Sequence, residues 1–303
     1  MSLDKIESLT IIIPLYNQEK YIKECLDSVA EILNLNVQLI IIDDASRDGS
    51  AKIVDEWISS SICLSSKLEI MFIKNHTNLG VCKTLNKGVA AARYDIIALC
   101  AADDFFLSNS LSKKVSTLKN SEYDAILSDV YIVDENSQVI MEKAYQSYFH
   151  ANPKALRNES FLVGEIITNW CVPGPSLLIK KKTYALIGHY DPALIAEDRD
   201  FYLRLFHNCR VGFDFEPIAA YRMHSTNISK KSDFRKKMNE EIRNINALHS
   251  SNWKGINKWF LSSYSLGKNQ GNFLQKMSFH IGRLIRIILR LSFVIKVFVS
   301  HEK

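Results

Sequence analysis

Two adjacent carboxylates, Asp103 and Asp104, end an apolar run in the stretch IIALCAADDFF, residues 96–106. Side by side they repel each other, so a cation, hydrogen bonds or water must compensate. A second pair, Asp43-Asp44, closes the run VQLIIID. Either aspartate of that pair, taken alone, reads more readily as a turn or cap residue than as a ligand. Tyr16-Asn17 follow a further apolar run, and Asn78-Leu79-Gly80 follow another. Glu197, Asp198 and Asp200 open the segment EDRDFYLRLFHN. Carboxylates there also suit the positive end of a helix. Arg204, four residues after Asp200, can pair with it as helix support.

The elements that must position these groups alternate regularly. Strands are expected at 9–13, 37–43, 68–73 and 94–101, as continuous apolar runs. Pro14 is read as ending the first. Asn17 is read as the cap of a helix with Ile22, Leu26, Val29 and Leu33 on its apolar face. A second helix carries Ile53, Val54, Trp57 and Ile58, and a third runs from about 81 to 92. This βαβαβαβ order predicts an α/β fold with a parallel sheet and right-handed crossovers. Ligands of such sheets sit outside the C-terminal strand ends, and four of the polar features fall there.

The second half is mixed. A hairpin around Asn136 is expected within 125–141, a loop and strand in CVPGPSLLIKK, and strands in VGFDFEPIAAYRMH. Residues 197–208 read as an amphipathic helix with Phe201, Leu205 and Phe206 inward. From about Asp233 the chain reads as mostly helical.

Composition narrows the class. The 303 residues are 47% hydrophobic and 23% charged, which fits one large domain or a domain with an appendage. A net charge of +5 gives no sign of a nucleic-acid partner. Six cysteines, with no metal-ligand spacing, read as buried free thiols in a reducing, cytosolic compartment. No secretory leader is read at the start, and nothing in the first 270 residues reads as bilayer-spanning. Neither a G-x-G-x-x-G turn nor a Walker A loop is present. A diphosphate would therefore need a carboxylate-held divalent cation instead.

Six segments, in order, carry a family resemblance: TIIIPLYNQEKYIKECLDSV, LIIIDDASRDGS, NHTNLGVCKTLNKGVAAARYDIIALCAADD, PGPSLLIKKKTYALIGHYDPAL, AEDRDFYLRL and YRMHSTNIS. Together they resemble glycosyltransferase family 2 with the GT-A fold, a Rossmann-like, mostly parallel sheet flanked by helices. The resemblance implies a catalytic domain over 1–230, with a nucleotide-sugar half to about 104 and an acceptor half over 105–230. A helical extension would occupy 231–303.

Site roles are implied in the same way. Pro14, Tyr16 and Glu19 would lie along the nucleotide. Asp44, with Asp43 beside it, would accept from a uracil-like base edge. Asn78, Gly80 and Lys83 would line the donor pocket. Ala102 and Asp103 would lie against the ribose or sugar. Asp104, with Asp103 and His224, would hold Mn2+ or Mg2+ at the diphosphate. Many relatives carry Asp-x-Asp-Asp where this chain has Ala101-Ala102-Asp103-Asp104. Asp198 would be the general base of an inverting transfer. Trp170, Gly174, Ser176 and Glu197 are the acceptor-side candidates.

The implied donor is a nucleoside diphosphate sugar, with UDP favoured. The implied acceptor is a saccharide, free or on a polyprenyl diphosphate, as in bacterial O-antigen, lipopolysaccharide or capsule assembly. Residues 276–300 read as a basic amphipathic helix on an anionic membrane surface, with Lys276, Arg283, Arg286 and Arg290 on one side. Packing of that helix on protein is the alternative. The expected location is the cytoplasm, peripheral on the inner membrane face. Competing functions are a non-catalytic sugar-nucleotide-binding or scaffold protein and a sugar nucleotidyltransferase.

Overall fold

The computed structural model describes residues 7–107, 110–224 and 232–264. The first hundred residues form β1 (Glu7–Leu15), α1 (Ile22–Ala30), β2 (Leu35–Asp43), α2 (Ser50–Ile58), α3 (Ser61–Ser65), β3 (Glu69–Lys74), α4 (Val81–Ala91) and β4 (Ile96–Leu99). These strands are parallel, in the order β3-β2-β1-β4. The chain builds outward from β1 through β2 to β3, then returns to place β4 on the other side. The ends of β1 and β4 thus flank a topological switch point, where open sheets offer a crevice.

Strand side chains alternate between faces. Leu9, Ile11, Ile13 and Leu15 of β1 join Leu26, Val29 and Trp57 in one core. Ile12, with Ile42 of β2, faces Gly88 of α4. Cover on both faces explains why β1 and β2 read as unbroken apolar runs.

Two expectations at this end are corrected. β1 does not end at Pro14, which pairs with Ile42. The ladder between β1 and β4 stops at Ile12. Ile12 presents its carbonyl to Cys100 on that side, and Pro14 faces the same way. The missing N–H therefore costs no ladder bond. Nor does Asn17 cap α1, whose N-cap is Tyr21. Asn17 adopts a φ of 53°, a left-handed conformation that asparagine tolerates.

The chain continues with β5 (Phe105–Phe106), α5 (Leu111–Lys119), β6 (Ala125–Val133), β7 (Val139–Met141) and α6 (Ala144–Ser147). Next come α7 (Pro153–Leu156), α8 (Glu159–Asn169), β8 (Leu177–Lys180), α9 (Lys182–Ile187), α10 (Glu197–Asn208) and β9 (Val211–Arg222). The sheet extends as β4-β8-β6-β9-β5, with β7 paired to β6. β8 is antiparallel to β4 and β6, whereas β9 is parallel to β6. The hairpin at Asn136 forms as expected. The segment expected as several strands is the single strand β9, irregular opposite Ser128–Val130. Two-residue β5 is too short for any periodicity to show.

Two compact units emerge. One holds the described residues through 150 and 171–224; the other holds 151–170 and 232–264. The second includes α11 (Ser232–Ser250) and α12 (Gly255–Tyr264). Its α7 and α8 are capped by Asn152 and Asn158, whose side chains accept from first-turn backbone N–H groups. Residues 151–170, read from sequence within the acceptor half, group with these C-terminal helices. No helix among the described residues is long and apolar enough to cross a membrane.

Gly88 lets α4 lie close on the sheet. A Cβ there would stand 3.2 Å from Cδ1 of both Ile12 and Ile42, and closer still to Ile12 Cγ2. Gly88→Ala gains about 1 kcal/mol of helix propensity, against an overpacking cost of roughly 1–3 kcal/mol. The expected net effect is a lower midpoint in urea denaturation. An unchanged or raised midpoint contradicts the close packing.

Candidate active site

The end of β2 presents Asp44, which is buried. Its Oδ1 accepts from Asn75 Nδ2 and from Leu79 N, both at 2.8 Å. Its Oδ2 accepts from Gly80 N at 2.8 Å. Lys87 Nζ in turn donates to Asn75 Oδ1 at 2.6 Å. Asp44 thus gathers the loop between β3 and α4, and Gly80 supplies the φ of 85° that the turn into α4 needs. Asn78 and Lys83 are exposed on this loop and helix start. Asp43 makes a local turn, accepting from Ser46 N at 3.3 Å.

The loops after β1 and β2 are laced together. Asn17 N donates to Ser46 Oγ at 3.0 Å, and Asn17 Oδ1 accepts from Arg47 N at 2.8 Å. Glu19 Oε2 accepts from Gly49 N at 2.6 Å, at the start of α2. Glu19 is thereby engaged with the protein, while Tyr16 stays exposed. Pro14, within β1, is half-buried.

The carboxylate pair after β4 splits into two environments. Asp104 is buried and accepts at Oδ1 from Arg222 N at 2.8 Å. Its Oδ2 has no hydrogen-bond partner among the described residues. Burial, and next the Asp103 charge, hold the Asp104 carboxyl well above the usual carboxylate range. Asp103 is more open. Its Oδ2 meets His224 Nε2 at 2.9 Å and Gln18 Nε2 at 3.4 Å. Ala102 is buried beside the pair.

No group of three or more His, Cys, Asp or Glu among the described residues forms a closed metal cage. A hard divalent cation needs less, because one or two carboxylates and the substrate's phosphates commonly complete its shell. The unclaimed Asp104 Oδ2 and the Asp103 carboxylate fit that lesser requirement, with the His224 imidazole held against Asp103.

Asp198 is the second residue of α10. It accepts no hydrogen bond and forms no ion pair among the described residues. Its side chain keeps solvent-exposed surface yet is recessed among protein atoms, and desolvation pushes its pKa up to about 6. That outweighs the helix-end dipole, which favours the charged form. Asp200, buried two residues on, is instead paired with Arg204 at 2.6 Å. Arg204 also donates to the carbonyls of Ile187 and His189, so it ties α10 to the end of α9.

Two neighbours show that these groups share one region. The Tyr221 hydroxyl is raised by burial first, then by the charges of Asp104 and Asp103, and also by Asp198. Cys82, two residues past Gly80, is raised by burial and then by Glu197 and Asp198. The general-base candidate therefore lies within electrostatic range of both the carboxylate pair and the start of α4. Glu197, next to it in sequence, is half-buried.

The acceptor candidates divide. Gly174 is exposed, with open space where a Cβ would stand. Ser176 is fully buried: its hydroxyl donates to Pro173 O at 2.7 Å and meets Tyr145 Oη at 3.2 Å. It shapes the loop from within and does not present a hydroxyl to an acceptor. Trp170 ends α8 with a φ of 46° and belongs to the other unit.

Sequence reasoning missed Asn75 and Lys87 behind Asp44, and Tyr21, Glu24 and Arg222 behind the carboxylate pair. Asn75 and Arg222 lie in KNHTNLG and YRMH, so their segments were visible and their contacts were not.

The Glycosyl transferase family 2 profile matches residues 10–168, just over half the chain. The chain belongs to glycosyltransferase family 2. It is 28% identical over 203 residues to an uncharacterized glycosyltransferase of Methanocaldococcus jannaschii, covering 66% of this chain and 65% of that protein. It is 24% identical to the putative glycosyltransferase EpsH of Bacillus subtilis, covering 77% and 65%. The match to the glycosyltransferase GlyG of Streptococcus pneumoniae spans 43% of this chain and 41% of that one. The chain thus spans at most about two thirds of these relatives' length. Among solved structures, S. aureus TarS 1–349 in complex with UDP-GlcNAc aligns with a TM-score of 0.63 at 19% identity, over 85% of this chain and 71% of that one. Mannosyltransferase PcManGT from Pyrobaculum calidifontis, in complex with GDP-Man and Mn2+, aligns at 0.62 and 15%, over 97% and 80%. These likenesses establish the GT-A fold for this family 2 chain.

Asp44→Asn replaces an acceptor facing three N–H donors with a group that is itself half donor. The expected loss is about 1–3 kcal/mol of unfolding free energy in urea. Wild-type stability in that variant contradicts the role of Asp44 as the loop's organiser.

Proposed function

We propose that this chain is an inverting glycosyltransferase that moves a sugar from a nucleoside diphosphate sugar, UDP favoured, to an acceptor hydroxyl. The observation that carries the reading is the gathering of carboxylates at the strand ends within electrostatic reach of the start of α10. Asp198, with a pKa of about 6 and no hydrogen bond or ion pair among the described residues, lies within electrostatic reach of the Asp103–Asp104 pair through Tyr221 and of the α4 start through Cys82. A base raised toward neutrality and free of protein partners suits proton abstraction from a hydroxyl.

Asp44 meets the base edge of the donor through the remaining acceptor capacity of its Oδ2. Tyr16, Pro14 and Asp43 line the nucleotide from the β1 and β2 side, and Asn78, Gly80 and Lys83 from the α4 side. Asp103, Asp104 and His224 hold a divalent cation, Mn2+ or Mg2+, which when bound offsets charge developing on the departing diphosphate. Asp198 takes the proton from the acceptor hydroxyl. That oxygen forms its bond to the anomeric carbon on the face opposite the diphosphate, whose oxygen leaves with the electron pair of the broken bond. The result is inversion, with no covalent enzyme intermediate. Support for the donor class comes from the two fold neighbours, one bound to UDP-GlcNAc and the other to GDP-Man and Mn2+.

The acceptor we favour is a saccharide on a polyprenyl diphosphate, in bacterial surface polysaccharide assembly at the inner membrane face. Its support is the sequence of residues 276–300, which lie outside the described residues. Truncation after Gln275 is expected to move the protein from the membrane to the soluble fraction. Unchanged fractionation counts against the membrane assignment.

The test of the activity itself is Asp198→Asn. Transfer is expected to fall by at least about two orders of magnitude, with UDP binding by calorimetry retained. Near-wild-type turnover sinks the assignment. The pH profile gives a second check. Asp198 must be ionised to act as base, and its raised pKa places that transition near 6. The kcat/KM is expected to be level above this value and to decline as pH falls through it. A profile flat down to pH about 4, the ordinary carboxylate range, contradicts the role.

A further inference from the structure

Arg222, the last residue of β9, is 1% exposed, yet its guanidinium is widely used. Nε donates to the Asp103 carbonyl at 2.7 Å. Nη1 donates to the Asp134 carbonyl at 3.2 Å and to Ser137 Oγ at 2.9 Å. Nη2 meets Glu24 Oε2 at 2.6 Å, and the same carboxylate oxygen accepts from Ser137 Oγ at 2.9 Å. The backbone N of Arg222 completes the set by donating to Asp104. One residue thus grips both members of the carboxylate pair, one by its carbonyl and one by its side chain.

Its flat faces are used as well. The guanidinium carbon lies 4.6 Å from the Tyr21 ring centre and 5.5 Å from that of Phe105. Tyr21 lies 4.9 Å, centre to centre, from the His224 ring, and His224 returns to Asp103 at 2.9 Å. Asp103, His224, Tyr21 and Arg222 therefore close a ring of contacts. On its far side, Glu24 of α1 and the hairpin between β6 and β7 anchor it.

We infer that Arg222 is the positioning residue of the cation–diphosphate site, fixing the Asp103–Asp104 turn and the His224 ring against α1 and the β6–β7 hairpin. The inference rests on the cation assignment above. A planar fork is required, because a lysine ammonium has no planar set of N–H groups to reach Asp103, Asp134, Ser137 and Glu24 together. Arg222 itself touches neither donor nor acceptor. It acts through the groups it holds, as outer-shell partners of metal ligands do.

The test is calorimetric titration of the full chain with UDP, in EDTA and in Mn2+. The base contact at Asp44 operates in both; the carboxylate pair contributes only with the cation. Wild type is expected to bind UDP more tightly in Mn2+. Arg222→Lys is expected to reduce that Mn2+ enhancement by about 10-fold or more, with UDP affinity in EDTA within about twofold of wild type. Glu24→Gln and Ser137→Ala, at the outer rim of the network, are expected to reduce the enhancement by a smaller factor in protein that still folds, as circular dichroism at the assay temperature checks. They decide the matter if Arg222→Lys does not fold. Full Mn2+ enhancement in both rim variants, or in a folded Arg222→Lys, overturns the inference. Absence of any Mn2+ enhancement in wild type overturns the cation assignment, and the inference with it.

Discussion

Two carboxylates on consecutive residues, at the end of a buried strand, repel each other, and the protein around β4 is organised by that repulsion. Asp104 is kept inside and Asp103 is turned outward, so the two charges do not share one environment. Arg222 meets both, using a backbone N–H for one and its guanidinium for the carbonyl of the other. His224 and Gln18 take up Asp103 from the open side. Because Arg222 closes β9, and β9 pairs with both β6 and β5, the far half of the sheet is placed by the same contacts. A buried charge held in this way is costly to break, since removing one partner leaves the other uncompensated.

Around this centre the loops are built from short-range polar bonds between neighbouring strand ends. Asp44 supplies three acceptor contacts to one loop, and Asn17 exchanges bonds with Ser46 and Arg47 in another. Asn17 and Ala45 both have left-handed backbones, with φ of 53° and 60°. Such conformations in non-glycine residues persist where the surroundings over-determine them, and they concentrate at binding sites. Here both stand at strand ends that face the crevice.

Asp198 follows the opposite design. Asp200, two residues on, is neutralised by Arg204, whereas Asp198 has no hydrogen-bond or ion-pair partner among the described residues. The dipole of α10 favours its ionised form, and desolvation disfavours it. Desolvation by the surrounding protein wins, and the carboxyl's pKa rises to about 6. One helix start thus carries a carboxylate neutralised by an arginine and one whose pKa is raised, separated by a single residue.

The alternation of apolar runs and turn residues was enough to place β1 through β4 to within a few residues, because strands buried on both faces and amphipathic helices write their periods into the chain. The clustering of polar groups at the strand ends was legible for the same reason, and the six ordered segments pointed to the family. Pro14 and Asn17 misled, since which side of a strand lacks a partner, and which backbone region a loop residue adopts, depend on neighbours remote in sequence. Ser176 looked available in its loop, and only packing against Tyr145 shows its hydroxyl taken up. Arg222 lay in a visible segment, but nothing local marked its contacts. Its partners lie at Glu24, Asp103, Asp134 and Ser137, more than 80 residues away in each case. The sequence by itself determined which chemistries stand at the strand ends. Tertiary structure decided which carboxylate is buried, which is paired and which is free, because those states are set by contacts between strands that are distant along the chain.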